Sequence, residues 1–563
     1  MVRYCIIGTG FSGTCMLWHL VDALCRQAPA DGDLRHIDIA TVERRPRNGP
    51  GLPYDADEVA PYHLCNNPAE KMSLFGNDFV NWMLAHRDEL VRLHPDLIRA
   101  AHPTLALDQW QPQAAAFYPR ALFGIYLSMR FDEACALAES RGATIRHYNG
   151  VEAIDGLTRD GRFHLTIRDV LSGQLQILAR LDKVLLASGH WEDAGRQAPR
   201  MLASPYPARE VHRAVAAMQE RQPKQSLTLG VRGMGPSAVD AILSLCDGGL
   251  FELDADGLAT RFLPCWDSFQ ASEVSIVASS RSGFFPGVRW PLVDYAFAHL
   301  TDENMAALRA RNGGRIDLTA LLALIDRELR AASHDDLDLA TVFRPRFAGA
   351  YQKLTADARG AMLERLAHTV ILRARRLRFY QDLSAADKRI YDTELDTHFI
   401  RTAVPLPLQN ARKLMALIEA GVLSTVALGY DAQAAAPAAL PGPAADLVIC
   451  SHGQNYDLDR HPSLLIQHLL ERKEVVAYSE DGYRTGGIGA SEASLFRVQN
   501  ALGGRTAYSA HLYSFGPITQ YWQNQNNFAA AFVSAAQVVA QDWLAGAAGQ
   551  ADGAHAAAQC ASS

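Results

Sequence analysis

The sequence lacks three features that would point to a function class at once. Its nine cysteines are scattered, and no two are spaced as C-x-x-C, so neither a zinc site nor a redox dithiol is indicated. No uninterrupted apolar run approaches the roughly 20 residues of a membrane-spanning helix. Basic residues number 54 against 61 acidic ones, a formal net charge of −7. We therefore expect no nucleic-acid partner, no membrane span, and reduced thiols in a cytoplasmic protein.

What the chain does have is enough length for more than one core. Its 563 residues are 48% apolar and 20% charged, which is typical of two or three globular domains. The apolar N-terminal stretch Tyr4–Leu24 has some character of an export signal. Three glycines interrupt it, however, and their spacing favours a different interpretation.

A glycine-rich turn follows the first predicted strand, Arg3–Ile7, and precedes a helix predicted over residues 14–25. It reads Gly8-Thr-Gly10-Phe11-Ser12-Gly13, the G-x-G-x-x-G pattern of dinucleotide-binding folds. Gly8 permits the tight turn, Gly10 lets the backbone approach a pyrophosphate, and Gly13 lets the helix pack against the strand. The helix N-terminus then offers free N–H groups to the phosphates. The alternative is a tight turn without a ligand.

Glu43 ends the next predicted strand, Ile37–Val42. A carboxylate at this position is predicted to accept hydrogen bonds from a ribose with a free 2′-hydroxyl, as in FAD or NAD. Glu43 lies 30 residues beyond Gly13 rather than the usual roughly 20. The polar segment Arg26–Leu34 is long enough to explain the difference.

A second glycine turn differs from the first in the chemistry of its strand end. Gly233-Met-Gly235-Pro236-Ser237-Ala238 follows a predicted strand, Leu227–Val231, and the next strand, Val274–Ser279, leads to Ser280 and Arg281 without a carboxylate. An arginine–phosphate contact is charge-assisted, so this pair predicts NADPH rather than NADH. The alternative is an exposed arginine at a strand end. Together the two turns predict one FAD and one NADPH.

These units predict an α/β fold with two Rossmann-like domains and a mostly helical insertion. We expect the following boundaries: an FAD domain over residues 1–219 and 431–545, an NADPH domain over residues 220–430 with its insertion at about 302–400, and a disordered tail over residues 546–563.

Several segments resemble a known family. Asp182-Lys-Val-Leu-Leu-Ala-Ser-Gly189-His190 resembles the D-x-x-x-L-A-T-G-Y/H segment of N-hydroxylating flavin monooxygenases. More closely, the chain resembles the FAD/NAD(P)-binding family that contains amino-acid N-monooxygenases, including nitrosuccinate-forming aspartate enzymes. The further matching stretches are both glycine turns, Gly51–Tyr54, His63–Pro68 with Met72 and Ser73, Pro119 and Arg120 with Tyr126 and Leu127, and Ser280 with Arg281.

The resemblance covers most of residues 1–290 and thinly residues 400–540. It departs from the family at Tyr521–Asn527, an amide-rich run where a glycine is expected. The Baeyer–Villiger fingerprint F-x-G-x-x-x-H is absent between the two glycine turns, which argues against that branch.

The resemblance implies a reaction. NADPH would reduce the flavin, oxygen would add at carbon C4a, and the resulting (hydro)peroxide would oxidise the nitrogen of an amino acid or small amine. The partners would be that small molecule, with an aspartate-like compound as the specific candidate, and dioxygen; a homo-oligomer is left open. The setting would be the biosynthesis of a specialised metabolite. Two alternatives remain: an NADPH-dependent flavoprotein reductase or dehydrogenase without oxygen insertion, and a non-enzymatic flavin or nucleotide sensor.

The resemblance also suggests roles for individual residues. It places Asn66 and Asn67 near the isoalloxazine, where an amide would donate a hydrogen bond; the alternative is an Asx turn before Pro68. It places Met72 and Gly189 at the cofactor. His190 lies where a ligand crevice opens in such sheets, or it is a packed histidine.

Two further sets of candidates come from residue chemistry. Gly487, in Gly486-Gly487-Ile-Gly489 before a predicted helical segment, is a candidate for approach to the flavin, with a plain loop as the alternative. An acidic substrate would need a guanidinium fork for its carboxylate, and the candidates are Arg120, Arg289 and Arg497. The alternative for each of these arginines is a structural or solvated role, which is the commoner one for an arginine.

Overall fold

The structure is a computed structural model that describes residues 1–27, 33–191, 200–429, 445–452, 457–520 and 529–560, with side chains through residue 545. The strands are β1 Val2–Ile7, β2 Ile37–Glu43, β3 Thr144–Asn149, β4 Val151–Arg159, β5 Arg162–Asp169, β6 Leu175–Leu181, β7 Lys183–Leu186, β8 Met201–Leu202, β9 Ser226–Arg232, β10 Leu250–Leu253, β11 Ala259–Leu263, β12 Glu273–Ser280, β13 Leu423–Ala427, β14 Leu447–Cys450, β15 Ala477–Glu480, β16 Tyr483–Ile488, β17 Arg497–Asn500 and β18 Ala507–Ser514.

The helices are α1 Phe11–Gln27, α2 Gly51–Tyr54, α3 Asp78–Ala85, α4 Arg87–Leu93, α5 Pro95–Ala101, α6 Arg120–Ser140, α7 Ala208–Arg221, α8 Pro236–Leu245, α9 Asp302–Arg311, α10 Leu318–Ser333, α11 Leu339–Phe343, α12 Ala350–Ala358, α13 Met362–Arg376, α14 Ala385–Ile390, α15 Asp396–Ala403, α16 Leu408–Glu419, α17 Leu464–Glu471 and α18 Ala529–Cys560. A π-helical turn, Tyr391–Leu395, joins α14 to α15. Among the described residues no helix combines the length and apolar character needed to cross a membrane.

The first sheet has six strands in the order β17-β18-β7-β1-β2-β3. All neighbours are parallel except β17 and β18. Strands β1, β2 and β7 are short apolar runs buried along most of their length, as expected of a parallel sheet covered on both faces. Helices α1, α6 and α18 contribute to the core on one face. Strands from both ends of the chain therefore share one sheet.

The second sheet has five parallel strands in the order β13-β12-β9-β14-β8. It places the domain boundaries differently from the sequence expectation. Strand β8 precedes residue 220, and β14 follows residue 430, yet both pair inside this sheet. The expected boundary between 430 and 431 itself lies outside the described residues. The α/β fold with two parallel sheets is confirmed.

Three small antiparallel sheets complete the β structure. Strands β4, β5 and β6 form one, β10 and β11 another, and β15 and β16 the third. Alternate residues of β5, Phe163, Leu165 and Ile167, are buried, as the alternation of the sequence predicts.

The helical insertion, α9 to α15, has its own apolar core. It is tied to the C-terminal part of the first domain by two partly buried acids, Asp392 and Glu480. Asp392 accepts hydrogen bonds from the hydroxyls of Tyr380 (2.7 Å) and Tyr483 (2.8 Å). Glu480 pairs with Lys388, whose side chain is fully buried, and with Arg315. The insertion is therefore held against β15 and β16 as well as against the second sheet.

The last helix, α18, extends to Cys560 and so includes most of the segment from residue 546 that the sequence predicts as a disordered tail. Alanine, which is frequent in this segment, favours helix. The N-terminal half of α18 packs on the first domain, where the Trp543 ring stacks on Tyr4 with centroids 5.0 Å apart.

A buried polar cluster joins the two domains. The Arg120 guanidinium lies at the start of α6 in the first domain and is 8% exposed. It pairs with Asp240 of α8 in the second domain at 2.8 Å and donates to the Tyr206 hydroxyl at 2.9 Å. Tyr206 also donates to Asp240. His63 completes the cluster, with its Nε2 3.2 Å from the Asp240 carbonyl and 3.1 Å from Ser244 Oγ.

We expect Arg120→Met to lower the free energy of unfolding by about 3–5 kcal/mol, because Asp240 would keep a buried charge without its cation. The urea midpoint measures the loss. Arg99→Met is the matched control: Arg99 pairs with Asp96 on the surface, where an ion pair contributes about 1 kcal/mol at most. A midpoint for Arg120→Met as high as that of the control would contradict the role of the cluster.

Candidate functional site

The first glycine turn lies at the carboxyl end of β1, and helix α1 begins at Phe11. Gly8 has φ +89°, and a Cβ there would come within 2.3 Å of the Ala187 carbonyl oxygen. A Cβ on Gly13 would come within 2.0 Å of the Gly8 carbonyl oxygen. Both positions therefore require glycine, for the reasons that the dinucleotide-binding pattern gives.

Glu43 lies beside this turn, at the end of β2. Its Oε2 accepts hydrogen bonds from Thr9 N at 2.9 Å and Thr9 Oγ1 at 3.0 Å, and its Oε1 accepts one from Arg45 N at 3.0 Å. The carboxylate is thus held in place by the turn, and each oxygen retains acceptor capacity for a ribose hydroxyl.

Two other segments close around the same turn. Gly51, at the start of α2, has φ +56°, and a Cβ there would lie 2.9 Å from Gly10 Cα. Gly516, just after β18, has φ +107°, and its Cβ would lie 3.1 Å from Ser12 Oγ. Sequence reasoning missed Gly516, although a glycine directly after an apolar strand was a usable signal.

The second glycine turn repeats this geometry between β9 and α8. Gly233 has φ +120°, and a Cβ there would lie 2.5 Å from the Ser451 carbonyl oxygen. At Gly235 a Cβ would meet no atom of the described residues within 4 Å, so these residues leave the turn open on that side. Pro236 and Ser237 begin the 10-residue helix α8, so the N-terminus of this helix lies at the turn.

Ser280 and Arg281 lie at the end of β12, next to β9 in the sheet. Ser280 Oγ accepts a hydrogen bond from Gly283 N at 3.0 Å. The Arg281 guanidinium donates to the Thr393 carbonyl at 3.1 Å and to Thr397 Oγ1. The helical insertion therefore orients Arg281 through neutral oxygens. Arg281 forms no ion pair within the described part of the chain, and the buried Asp396 carboxyl interacts with it only at longer range.

Asn66 and Asn67 are half-buried in a loop of the first domain. A short 3-10 helix, Ala69–Lys71, follows this loop, and the next residue, Met72, is buried. Arg289, from the segment after β12, reaches this loop and donates from Nε to the Asn66 carbonyl at 3.0 Å. Burial and the neighbouring Arg376 lower the pKa of Arg289 to about 10, so it stays cationic at neutral pH. No carboxylate of the described residues neutralises it.

The other two candidate arginines have structural partners. Arg120 belongs to the interdomain cluster. Arg497 forms a two-point ion pair with Asp542 of α18, at 2.9 and 2.7 Å, and the Tyr513 hydroxyl donates to the same acid at 2.6 Å. A guanidinium fork already bound to a carboxylate does not offer that fork to a substrate. The structure therefore assigns both to packing.

Gly487 is buried inside strand β16, and the short 3-10 helix Glu492–Ser494 follows, in agreement with the helical segment expected there. Its approach to a flavin stays a prediction. The next residue, Ile488, bridges to Thr519, in the same loop as Gly516. The strand thus supports the loop beside Ser12.

Gly189 and His190 follow β7 at the same sheet edge as the first turn, where Gly189 has φ +72° and His190 is exposed. Sequence reasoning missed the next residue, Trp191, whose ring lies 4.6 Å from the buried His461 ring. Burial lowers the pKa of His461 to about 4, so this imidazole is neutral. The segments 192–199 and Tyr521–Asn527 lie outside the described residues.

Comparison with known proteins found one curated relative and several solved structures. The chain is 22% identical over 458 residues to the uncharacterized protein YdhS of Escherichia coli (strain K12), covering 77% of this chain and 78% of that protein. Among solved structures, ornithine hydroxylase from Pseudomonas aeruginosa matches with 11% identity and a TM-score of 0.47, over 96% of this chain and 99% of that one. The cadaverine monooxygenase of Erwinia amylovora matches with 11% identity and a TM-score of 0.44, over 96% of this chain and 94% of that one.

The family comparison is more specific, because it bears on the segment that carries the first glycine turn, Glu43 and the Gly189-His190 strand end. Residues 5–191 match a family model described as FAD-NAD(P)-binding. This N-terminal third of the chain is therefore similar to FAD-NAD(P)-binding proteins.

Proposed function

We propose that the protein is an FAD- and NADPH-dependent monooxygenase that hydroxylates the nitrogen of an amino acid or small amine. One observation carries the proposal. The strands beside the two glycine turns end in side chains of opposite charge. Beside the first turn lies the anchored carboxylate of Glu43, and beside the second lies the Arg281 guanidinium, which forms no ion pair within the described residues. One site suits a ribose with a free 2′-hydroxyl, and the other suits a phosphorylated ribose.

The first site fits FAD. Its glycines leave no room for side chains, its helix α1 offers N–H groups to a pyrophosphate, and Glu43 offers carboxylate oxygens to the ribose. Bound flavin would supply the redox and oxygen chemistry, and the protein would supply position and exclusion of water.

The second site fits NADPH. The open side of Gly235 leaves space for a pyrophosphate above the N-terminus of α8. Arg281 would bind the 2′-phosphate by charge-assisted hydrogen bonds, with Ser280 beside it. Thr393 and Thr397 hold the guanidinium from the insertion, so its direction is set before the phosphate arrives.

Arg289 is the substrate-binding residue in this proposal. It is a partly buried cation without a carboxylate partner in the described residues, and it contacts the Asn66–Asn67 loop. Its terminal nitrogens would form two parallel hydrogen bonds to a carboxylate. An acidic amino acid such as aspartate, held by that carboxylate, would present its amino group towards Asn66 and Asn67.

The setting in the cell is also part of the proposal. Eight cysteines among the described residues are free thiols, and most of them are buried. Such thiols persist in the reducing cytoplasm, where NADPH is also available.

Rapid mixing tests the reaction class. NADPH should bleach the bound flavin within the turnover time, and oxygen added to the reduced protein should produce a transient absorbance distinct from both the reduced and oxidised flavin. Bleaching without the transient would favour a reductase or dehydrogenase. A flavin that NADPH does not bleach would favour a nucleotide sensor.

We expect Arg281→Ala to weaken the apparent affinity for NADPH by about 10–150-fold, because a charge-assisted hydrogen bond to the 2′-phosphate is lost. The affinity for NADH should change little, since it has no 2′-phosphate. The effect is measured from the rate of flavin reduction as a function of the NADPH or NADH concentration. Equal losses for NADPH and NADH would overturn the assignment of the second site.

We expect Arg289→Gln to raise the KM for aspartate by about 10–150-fold, because the carboxylate loses its cation. Arg289→Lys should recover only part of the loss, since lysine lacks the planar fork. Product formation is the measurement, with the exposed Arg311→Gln in α9 as the control. The substrate proposal fails if Arg289→Gln leaves the KM at the control value, whatever the outcome of rapid mixing.

A further inference from the structure

A cavity of about 210 Å³ lies within the second domain, away from both glycine turns. Its walls come from the segment after β12, the loop between α11 and α12, and helices α12, α13 and α15. Val288 and Trp290 line it, whereas Arg289 between them reaches the Asn66 loop. Neighbouring residues of an extended segment point in opposite directions, so the backbone of this segment separates the cavity from the proposed substrate site.

One polar group in the wall is a histidine with an unused acceptor. His368 is 7% exposed, and its Nδ1 lies 2.9 Å from the Thr402 carbonyl oxygen. Because a carbonyl only accepts, Nδ1 carries the proton and Nε2 presents a lone pair. Nε2 is buried without a hydrogen-bond partner among the described residues. Burial, with smaller effects of Arg289 and Arg376, lowers the pKa of His368 to about 4, so the ring is neutral.

A second polar cluster in the wall contains two carboxylates and one ammonium group. Lys353 pairs with Asp357 at 2.7 Å and with Glu364 at 2.7 Å, and all three residues line the cavity. Lys353 is 7% exposed and Asp357 is 2% exposed. Two carboxylates against one ammonium leave a net negative charge when both acids are ionised, and burial makes that charge costly unless a proton or a cation compensates it. Accordingly, burial raises the pKa of Asp357 to about 7.

These two groups face the same region. Glu364 and His368 are one turn apart on α13, where i and i+4 side chains lie about 5–6 Å apart between Cβ atoms. Trp290, fixed by a 2.7 Å hydrogen bond from its Nε1 to the Asp357 carbonyl, and Phe347 provide aromatic walls. Aromatic faces bind both apolar groups and cations.

The remaining charged groups in the wall are directed elsewhere. Arg401 donates to the carbonyls of Val342 at 2.8 Å and Phe343 at 3.0 Å. Arg365 donates to the Pro291 carbonyl at 3.2 Å, and Arg346 and Asp336 are exposed. The hydrogen-bond acceptors left to bind a ligand in this cavity are therefore those of His368, Asp357 and Glu364.

We propose that this cavity is a binding site for a small primary amine with an apolar body. The ammonium donates to His368 Nε2 and to the Asp357–Glu364 carboxylates, and the apolar body lies against Trp290 and Phe347. The site is separate from the proposed substrate site and does not depend on the proposed function. Bound there, an amine would brace the segment that carries Arg289.

Calorimetry with the full-length, FAD-containing protein tests the proposal. The probes are phenethylamine, phenethyl alcohol and phenylacetate, which share a ring and differ in the terminal group. We expect the amine to bind at least about 10-fold more tightly than the alcohol, and phenylacetate to bind most weakly. Equal affinity for amine and alcohol, preference for the acid, or no binding of any probe would overturn the proposal.

Two variants locate the site. Glu364→Gln and His368→Gln should each weaken amine binding by about 10-fold or more, whereas Glu303→Gln on the exposed face of α9 should not change it. Melting temperatures identify variants that fold. Native affinity in either folded cavity variant would place the amine elsewhere and refute the site. If both variants unfold, the probe series on the unchanged protein decides.

Discussion

The ion pair between Arg120 and Asp240 is the contact on which the arrangement of the two domains depends. It connects the first turn of α6 in one domain to α8 in the other, and both partners are buried. A buried pair is costly to form and more costly to break, so it tolerates little displacement. Tyr206 and His63 satisfy the remaining hydrogen-bonding capacity and extend the same constraint.

This constraint fixes the position of the two nucleotide sites relative to each other. Each site lies at the carboxyl end of parallel strands, where the N–H groups of a helix start face a crevice. Arg289 crosses from the second domain to the Asn66 loop of the first, so the proposed substrate site exists only when the domains are joined. The same segment forms a wall of the amine cavity on its other side. A ligand in the cavity would therefore act on the position of Arg289.

The helical insertion connects these parts more closely than a surface addition would. Asp392 accepts hydrogen bonds from one tyrosine of the insertion and one of β16, and the adjacent Thr393 holds Arg281. A short π-helical turn carries both residues. Such turns are frequent at functional sites, since the extra residue redirects neighbouring side chains. The insertion thus links the strand end of the second site to the C-terminal strands of the first domain.

Local patterns in the sequence determined the α/β class, both glycine turns, the chemistry of their strand ends and the helical character of the insertion, because each depends on residues close together in the chain. Only the tertiary structure decided the rest. Strand β14 lies in the second sheet since its hydrogen-bond partners come from residues over 200 positions away. Arg120, Arg289 and Arg497 are equivalent in sequence, and only long-range contacts show that two of them already hold acids while Arg289 does not. Likewise, the i, i+4 spacing places Lys353 with Asp357 on α12 and Glu364 with His368 on α13, but only the tertiary structure brings the two pairs to one cavity.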